Sequence, residues 1–215
     1  METQGWHRLA PLVGVLFVVL VVLAFVVGGE TPDINDSPQK ILNYYNNHDS
    51  KQMFASALLA WGSVAFLFFL GILRSVLRAA EGGISRLASV AFAGGILLAA
   101  GMLSFAGFTF TLADAADHLT PAAAQALNAL NGDFFFLLAA GLGALMISTG
   151  IVAIRSRVLP AWLGWVTLLI GIAAITPAGF FAFLAFGLWS LIVSVLLWRA
   201  QAPAAPAAPG PPAGV

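Results

Sequence analysis

The chain has 215 residues, of which 60% are hydrophobic and only 8% charged, with a mean hydropathy of +0.97; a water-soluble domain, at ~25% charged, is excluded, and a membrane protein is indicated. It has no cysteine, which removes thiol catalysis, iron–sulfur clusters, Cys-ligated zinc and disulfides from consideration. The formal net charge is zero, but the charges are sorted by position along the chain, and that sorting orients everything that follows.

Six apolar stretches are predicted to cross the bilayer, at 9–29, 52–73, 87–113, 133–154, 161–176 and 179–198. About 20 helical residues span ~30 Å of hydrocarbon. The first exceeds the roughly 7–15 residues of a signal-peptide core and ends in Val-Val-Gly-Gly-Glu without a small-x-small cleavage site, so it is read as a retained span. The loop at 30–51 contains the polar run "NYYNNHDSK". Asp36 or Ser37 caps a helix with Pro38 at its first position, and Ile41, Leu42, Tyr44 and Tyr45 give it an apolar side. The expectation is an interfacial helix whose tyrosines sit at headgroup level, with Asn46, Asn47, His48 and Asp49 ending it in water.

Small residues recur every four positions at Ala91, Gly95 and Ala99 in span three and at Ala140, Ala144 and Ser148 in span four, predicting that these two helices touch through those faces. Between them, in the loop at 114–132, Asp114 and His118 stand four apart with Asp117 beside them. If span three stays helical that far, carboxylate and imidazole share a face, and His48 with Asp49 would complete a shell for a divalent cation. Thr120-Pro121 reads as a second helix start and Asn131-Gly132 as its stop. Span five, boxed between Pro160 and Pro177, covers only ~24 Å, so the turn at 176–179 is expected below the surface, leaving a recess. Trp61 and Trp189 lie at similar depth in spans two and six; facing inward, they would line an apolar pocket for a lipid or isoprenoid. The segment 200–215, rich in proline and alanine, reads as a disordered tail.

All seven arginines (Arg8, Arg74, Arg78, Arg86, Arg155, Arg157, Arg199) fall on one side of this topology and all six aspartates on the other. The positive-inside rule then puts both termini in the cytoplasm and the two acidic loops outside. Trp6, Trp162, Trp165 and Trp198 near the arginine side form the expected aromatic belt. The span interiors carry no ionisable residue apart from Asp133 at an end, which argues against ion-coupled transport. No phosphate-binding loop, Gly-x-Ser-x-Gly elbow or His-Glu-x-x-His is present.

The stretches "PQKILNYYNNH", "LGILRSVLR", "LASVAFAGG", "ALNAL" and "RSRVLPAWLGWVTLLIGI", in this order, make the chain similar to a family of uncharacterised six-span membrane proteins common in actinobacteria. The resemblance implies topology and location and supplies no catalytic residues. The reading is therefore an all-α bundle of six transmembrane helices, multi-pass in a bacterial cytoplasmic membrane, with the domain ending at 199. The expected role is non-catalytic: an accessory or assembly subunit with a membrane protein partner, or a binder of a lipid or isoprenoid through Trp61, Trp189, Tyr44 and Tyr45. No cofactor and no nucleic acid is expected. The alternative is an enzyme or sensor holding a divalent cation through His48, Asp114, Asp117 and His118; the third reading is a small-molecule transporter lined by hydroxyls.

Overall fold

The computed structural model describes residues 10–83 and 85–200, and among these every regular element is helical. A 3-10 turn, Ala10–Leu12, leads into α1 (Val13–Gly28), followed by α2 (Pro38–Asn47), α3 (Asp49–Ala80), α4 (Arg86–Asp114), α5 (Pro121–Asp133), α6 (Phe135–Ser156), α7 (Ala161–Ala174) and α8 (Gly179–Ala200). Five helical stretches are long and apolar enough to cross a membrane, with α5 and α6 counted as one; α7 is shorter, at 14 residues. At 1.5 Å per residue α7 reaches ~21 Å, less than the span expected at 161–176. Its end is local in origin: Pro177 disfavours a helical residue before it, and the Thr176 hydroxyl donates to the Ala173 carbonyl at 2.7 Å, closing the turn. Trp6, Arg8 and the tail from 201 lie outside the described residues.

The end of α1, the start of α3 and the end of α4, with Asp49 and Asp114, come together at an aspartate end, and the end of α3, the start of α4 and the end of α6, with Arg78, Arg86 and Arg155, come together at an arginine end. Hydropathy alone marks only the hydrocarbon part of each helix. Hence α3 runs to Ala80, seven residues past the expected boundary at 73, carrying Arg74 and Arg78. Gly82 and Gly83, at φ +65° and +94°, then reverse the chain. Glu81 reaches across this turn, and its carboxylate accepts the backbone N–H groups of Leu87 (3.1 Å) and Ala88 (2.8 Å), satisfying two of the orphan donors at the start of α4.

Lipid tails are as apolar as leucine, so close backbone approach, rather than the hydrophobic effect, holds such helices together. The predicted contact between α4 and α6 exists and includes Ala144 of the expected stripe, but on α4 it centres on Gly94 in place of Gly95. A Cβ placed on Gly94 would lie 2.6 Å from the Leu145 backbone nitrogen and 2.9 Å from the Gly141 carbonyl oxygen. One placed on Gly141 would lie 2.5 Å from the Leu98 nitrogen. Gly95 instead receives the Leu70 side chain of α3, and Ala140 is exposed. Ala91, Ala99 and Ser148 are buried, as expected of that stripe.

The α1–α3–α8 side is filled by aromatic rings. Phe17 lies 5.1 Å from Phe66 and 5.9 Å from Phe186, and Phe186 stacks on Trp189 at 6.0 Å. Trp189 is 1% exposed, and its indole N–H donates to the Thr167 hydroxyl at 2.7 Å, which in turn donates to the Leu163 carbonyl at 2.6 Å. It is a gap filler with a satisfied polar end. Trp61, by contrast, is 67% exposed on the outside of the bundle, so the two indoles do not line a common pocket. Phe68, Phe136, Phe181 and Leu188 are similarly exposed, a surface suited to acyl chains and not to water.

Candidate functional site

Above the aspartate end, α2 and α5 pack against one another as a lid. Both start as their sequences dictate. The Ser37 hydroxyl accepts the Lys40 N–H at 3.3 Å with Pro38 following it, and the Thr120 hydroxyl accepts the Ala123 N–H at 3.3 Å with Pro121 following it. Asp36 does not cap; it pairs with Lys40 Nζ at 2.7 Å, and this hydrogen bond holds its carboxyl below the usual range. A carboxylate whose folded pKa is depressed adds stability above its unfolded pKa and loses it as pH falls. We therefore expect the first turn of α2 to fray on acidification through and below the ordinary carboxylate range, seen as a lower amide protection factor at Lys40 and Ile41, while Lys40→Met shows the frayed value already at neutral pH.

The apolar side of α2 does not lie among headgroups. Ile41, Leu42 and Tyr45 are buried against Leu112, Ala113, Ala116 and Ala124, a second small core distinct from that of the bundle. Tyr45 is 1% exposed, and burial pushes its phenol pKa well up. Its hydroxyl donates to Asn128 Oδ1 at 3.1 Å, and Asn128 Nδ2 donates to the Pro32 carbonyl at 3.2 Å, so one amide ties α2, α5 and the preceding loop. Helix α5 ends at Asp133, one residue past the stop expected at Asn131-Gly132, and the Asn131 amide is turned inward to donate to Thr109 Oγ1 at 3.0 Å. Tyr44 is half-buried and accepts from Gln52 Nε2 at 2.8 Å; the same amide nitrogen donates to the Gly28 carbonyl at 2.8 Å.

The four residues proposed for a cation are not brought together. His48 stacks on Tyr44 with ring centroids 4.5 Å apart, and its Nδ1 lies 2.8 Å from the Tyr44 carbonyl, so it closes the joint between α2 and α3. Helix α4 stops at Asp114; Ala115 caps it, and the chain turns with the His118 N–H on the Ala115 carbonyl at 2.9 Å. The turn buries Ala116 and brings Leu119 against the small core, at the cost of the shared helical face that Asp114 and His118 required. His118 and Asp117 approach to 3.5 Å on the open surface. Among the described residues no three of His, Asp or Glu are placed to hold one metal ion.

Beneath the lid the structure forms what spacing did not reveal. A cavity of about 80 Å³ lies between α1, α3 and α4, walled by Phe25, Gly28, Gln52, Ser56, Phe105 and Thr109 among others. Ser56 Oγ is buried there without a partner in the protein, and no lining residue is ionisable. Water takes ~30 Å³ in the liquid, so the space suits two or three waters or the small uncharged polar end of a larger molecule. On the flank of α1, an almost wholly apolar groove of about 460 Å³ runs between α1 and α8, floored by the buried rings of Phe17 and Phe186. Phe25 is a wall of both spaces. Gln52 and Ser56, one helical turn apart at the start of span two, were the signal in the sequence for a polar face there.

Compared with family models, with curated proteins and with solved structures, the chain shows no match in any of the three.

Proposed function

We propose that the protein is a non-catalytic, multi-pass protein of a bacterial cytoplasmic membrane that binds an amphiphile with a small uncharged head, a neutral lipid or an isoprenoid alcohol. In this reading α7, with the turns at Pro160 and Pro177, makes a short sixth crossing. The arginine end faces the cytoplasm by the positive-inside rule, with the α2–α5 lid outside. The observation that carries the proposal is the shared wall at Phe25: a small, partly polar cavity bordered by Ser56, Gln52 and Thr109 adjoins an apolar groove of the size that ligand sites occupy. The head would be held by Ser56, Gln52 and Thr109, the tail by Phe17, Phe186 and their neighbours. Tyr44 takes part indirectly, by orienting the Gln52 amide.

The test is native mass spectrometry of the full chain extracted in mild detergent. Wild type is expected to retain one neutral amphiphile at about one per chain. Ser56→Leu, which fills the cavity, and Gly187→Trp, which fills the groove from an open position on α8, are each expected to lose it while keeping the wild-type unfolding temperature within a few degrees. Retention in both folded variants, or a wild type that carries only charged lipids or none, would overturn the reading.

A further inference from the structure

At the opposite end of the bundle, a hollow of about 490 Å³ opens between the start of α4 and the end of α6, lined by Arg86, Leu87, Ile151, Val152, Arg155 and Glu81 among others. Arg86 and Arg155, exposed residues of two different helices, line one concavity. Among the described residues neither is within ion-pair distance of a carboxylate. The carboxylate of Glu81 is engaged elsewhere, by the Leu87 and Ala88 backbone N–H groups, and two arginines against one glutamate leave the hollow a net positive charge. Other arginines at this end have different settings: Arg74 lies over the Phe92 ring at 4.7 Å, and Arg157 closes α6 with a left-handed backbone, φ 55°.

We infer that Arg86 and Arg155 form a site for the phosphodiester of an anionic phospholipid, with Leu87, Ile151 and Val152 receiving the first part of its acyl chain. Guanidinium groups are suited to phosphate oxygens by their planar array of donors. An anion bound in the hollow would offset the like charges that Arg86 and Arg155 bring to it from α4 and α6. The apolar wall beside them points to a lipid, since a free phosphate would gain nothing from Ile151 or Val152. This site is separate from the amphiphile site under the lid: it binds charge, sits at the other end, and shares no residue with it.

The experiment exposes the detergent-purified full chain to equal amounts of phosphatidylglycerol and phosphatidylcholine with identical acyl chains and counts retained lipids by native mass spectrometry. Wild type is expected to prefer phosphatidylglycerol by roughly tenfold, from two arginines at a lipid surface. Arg86→Gln/Arg155→Gln is expected to lose the preference, Arg86→Lys/Arg155→Lys to keep part of it, and Arg157→Gln to keep all of it. An undiminished preference in the Gln pair would overturn the inference. So would an equal loss in Arg157→Gln, which would show diffuse charge, or displacement of the lipid by millimolar inorganic phosphate, which would make free phosphate the ligand. Failure of the Gln pair to fold is resolved by the Lys pair, whose charge is intact and whose preference for phosphatidylglycerol must exceed that for phosphatidylcholine.

Discussion

Gly94→Ala is expected to destabilise the protein by about 2–3 kcal/mol, and Gly94→Leu to prevent formation of the bundle. The reason is what a side chain meets there. A Cβ on Gly94 would sit 2.6 Å from the Leu145 nitrogen, 2.8 Å from the Ala144 Cβ and 2.9 Å from the Gly141 carbonyl oxygen, all on the facing helix and none at the tip of a side chain that can swing away. Helices α4 and α6 must separate along their length to admit it, losing the van der Waals contact that holds helices together when both sides of the comparison are apolar. Gly141→Ala should behave alike, its Cβ reaching 2.5 Å from the Leu98 nitrogen. Gly71 and Gly107 supply the contrast: nothing lies within 4 Å of a Cβ at either, so alanine there should be neutral or stabilising by up to about 1 kcal/mol. Thermal unfolding in detergent, followed by helix signal, checks the sign at all four glycines.

Asn128→Ala is expected to cost about 2–3 kcal/mol, and to spend that cost locally. It removes the acceptor of the buried Tyr45 hydroxyl and the donor to the Pro32 carbonyl together, leaving a phenol at 1% exposure with no partner. The lid has its own small core, joined to the bundle through Leu112, Ala113 and the Asn131–Thr109 bond. Amide exchange should therefore accelerate across α2 and α5 while α4 and α6 keep wild-type protection. Tyr45→Phe alone should cost about 1 kcal/mol, and the double variant should be no worse than Asn128→Ala, since the orphaned hydroxyl is gone.

Much of the architecture is legible in the chain because membrane spans are written in long apolar runs and their ends in charge, Pro, Ser and Thr. The two lid helices start where Ser37-Pro38 and Thr120-Pro121 put them. What was not legible is which side of each helix faces inward. A helix surrounded by lipid is apolar all round, so the periodicity that reports burial in water is faint. Trp61 and Trp189, alike by depth and composition, thus end up on the outside and in the core respectively. The same ambiguity moved the α4–α6 contact from Gly95 to Gly94, one position around the helix. The cation constellation fails for another reason: it needs α4 to run through His118, whereas burial of Ala116 and packing of Leu119 against the lid core favour a turn after Asp114. The Tyr45–Asn128 bond joins residues 83 apart, a pairing that no local pattern announces.

In the proposed function, the space under the lid and the groove on α1 hold one molecule. A density map of the full chain in nanodiscs reconstituted with a neutral-lipid extract of its own membrane tests this most directly. One elongated density is expected, its polar end within hydrogen-bonding distance of Ser56 Oγ and its tail passing Phe25 along the Phe17–Phe186 floor. Separate water-sized peaks in the cavity, with only averaged bilayer density along α1 and α8, would contradict it.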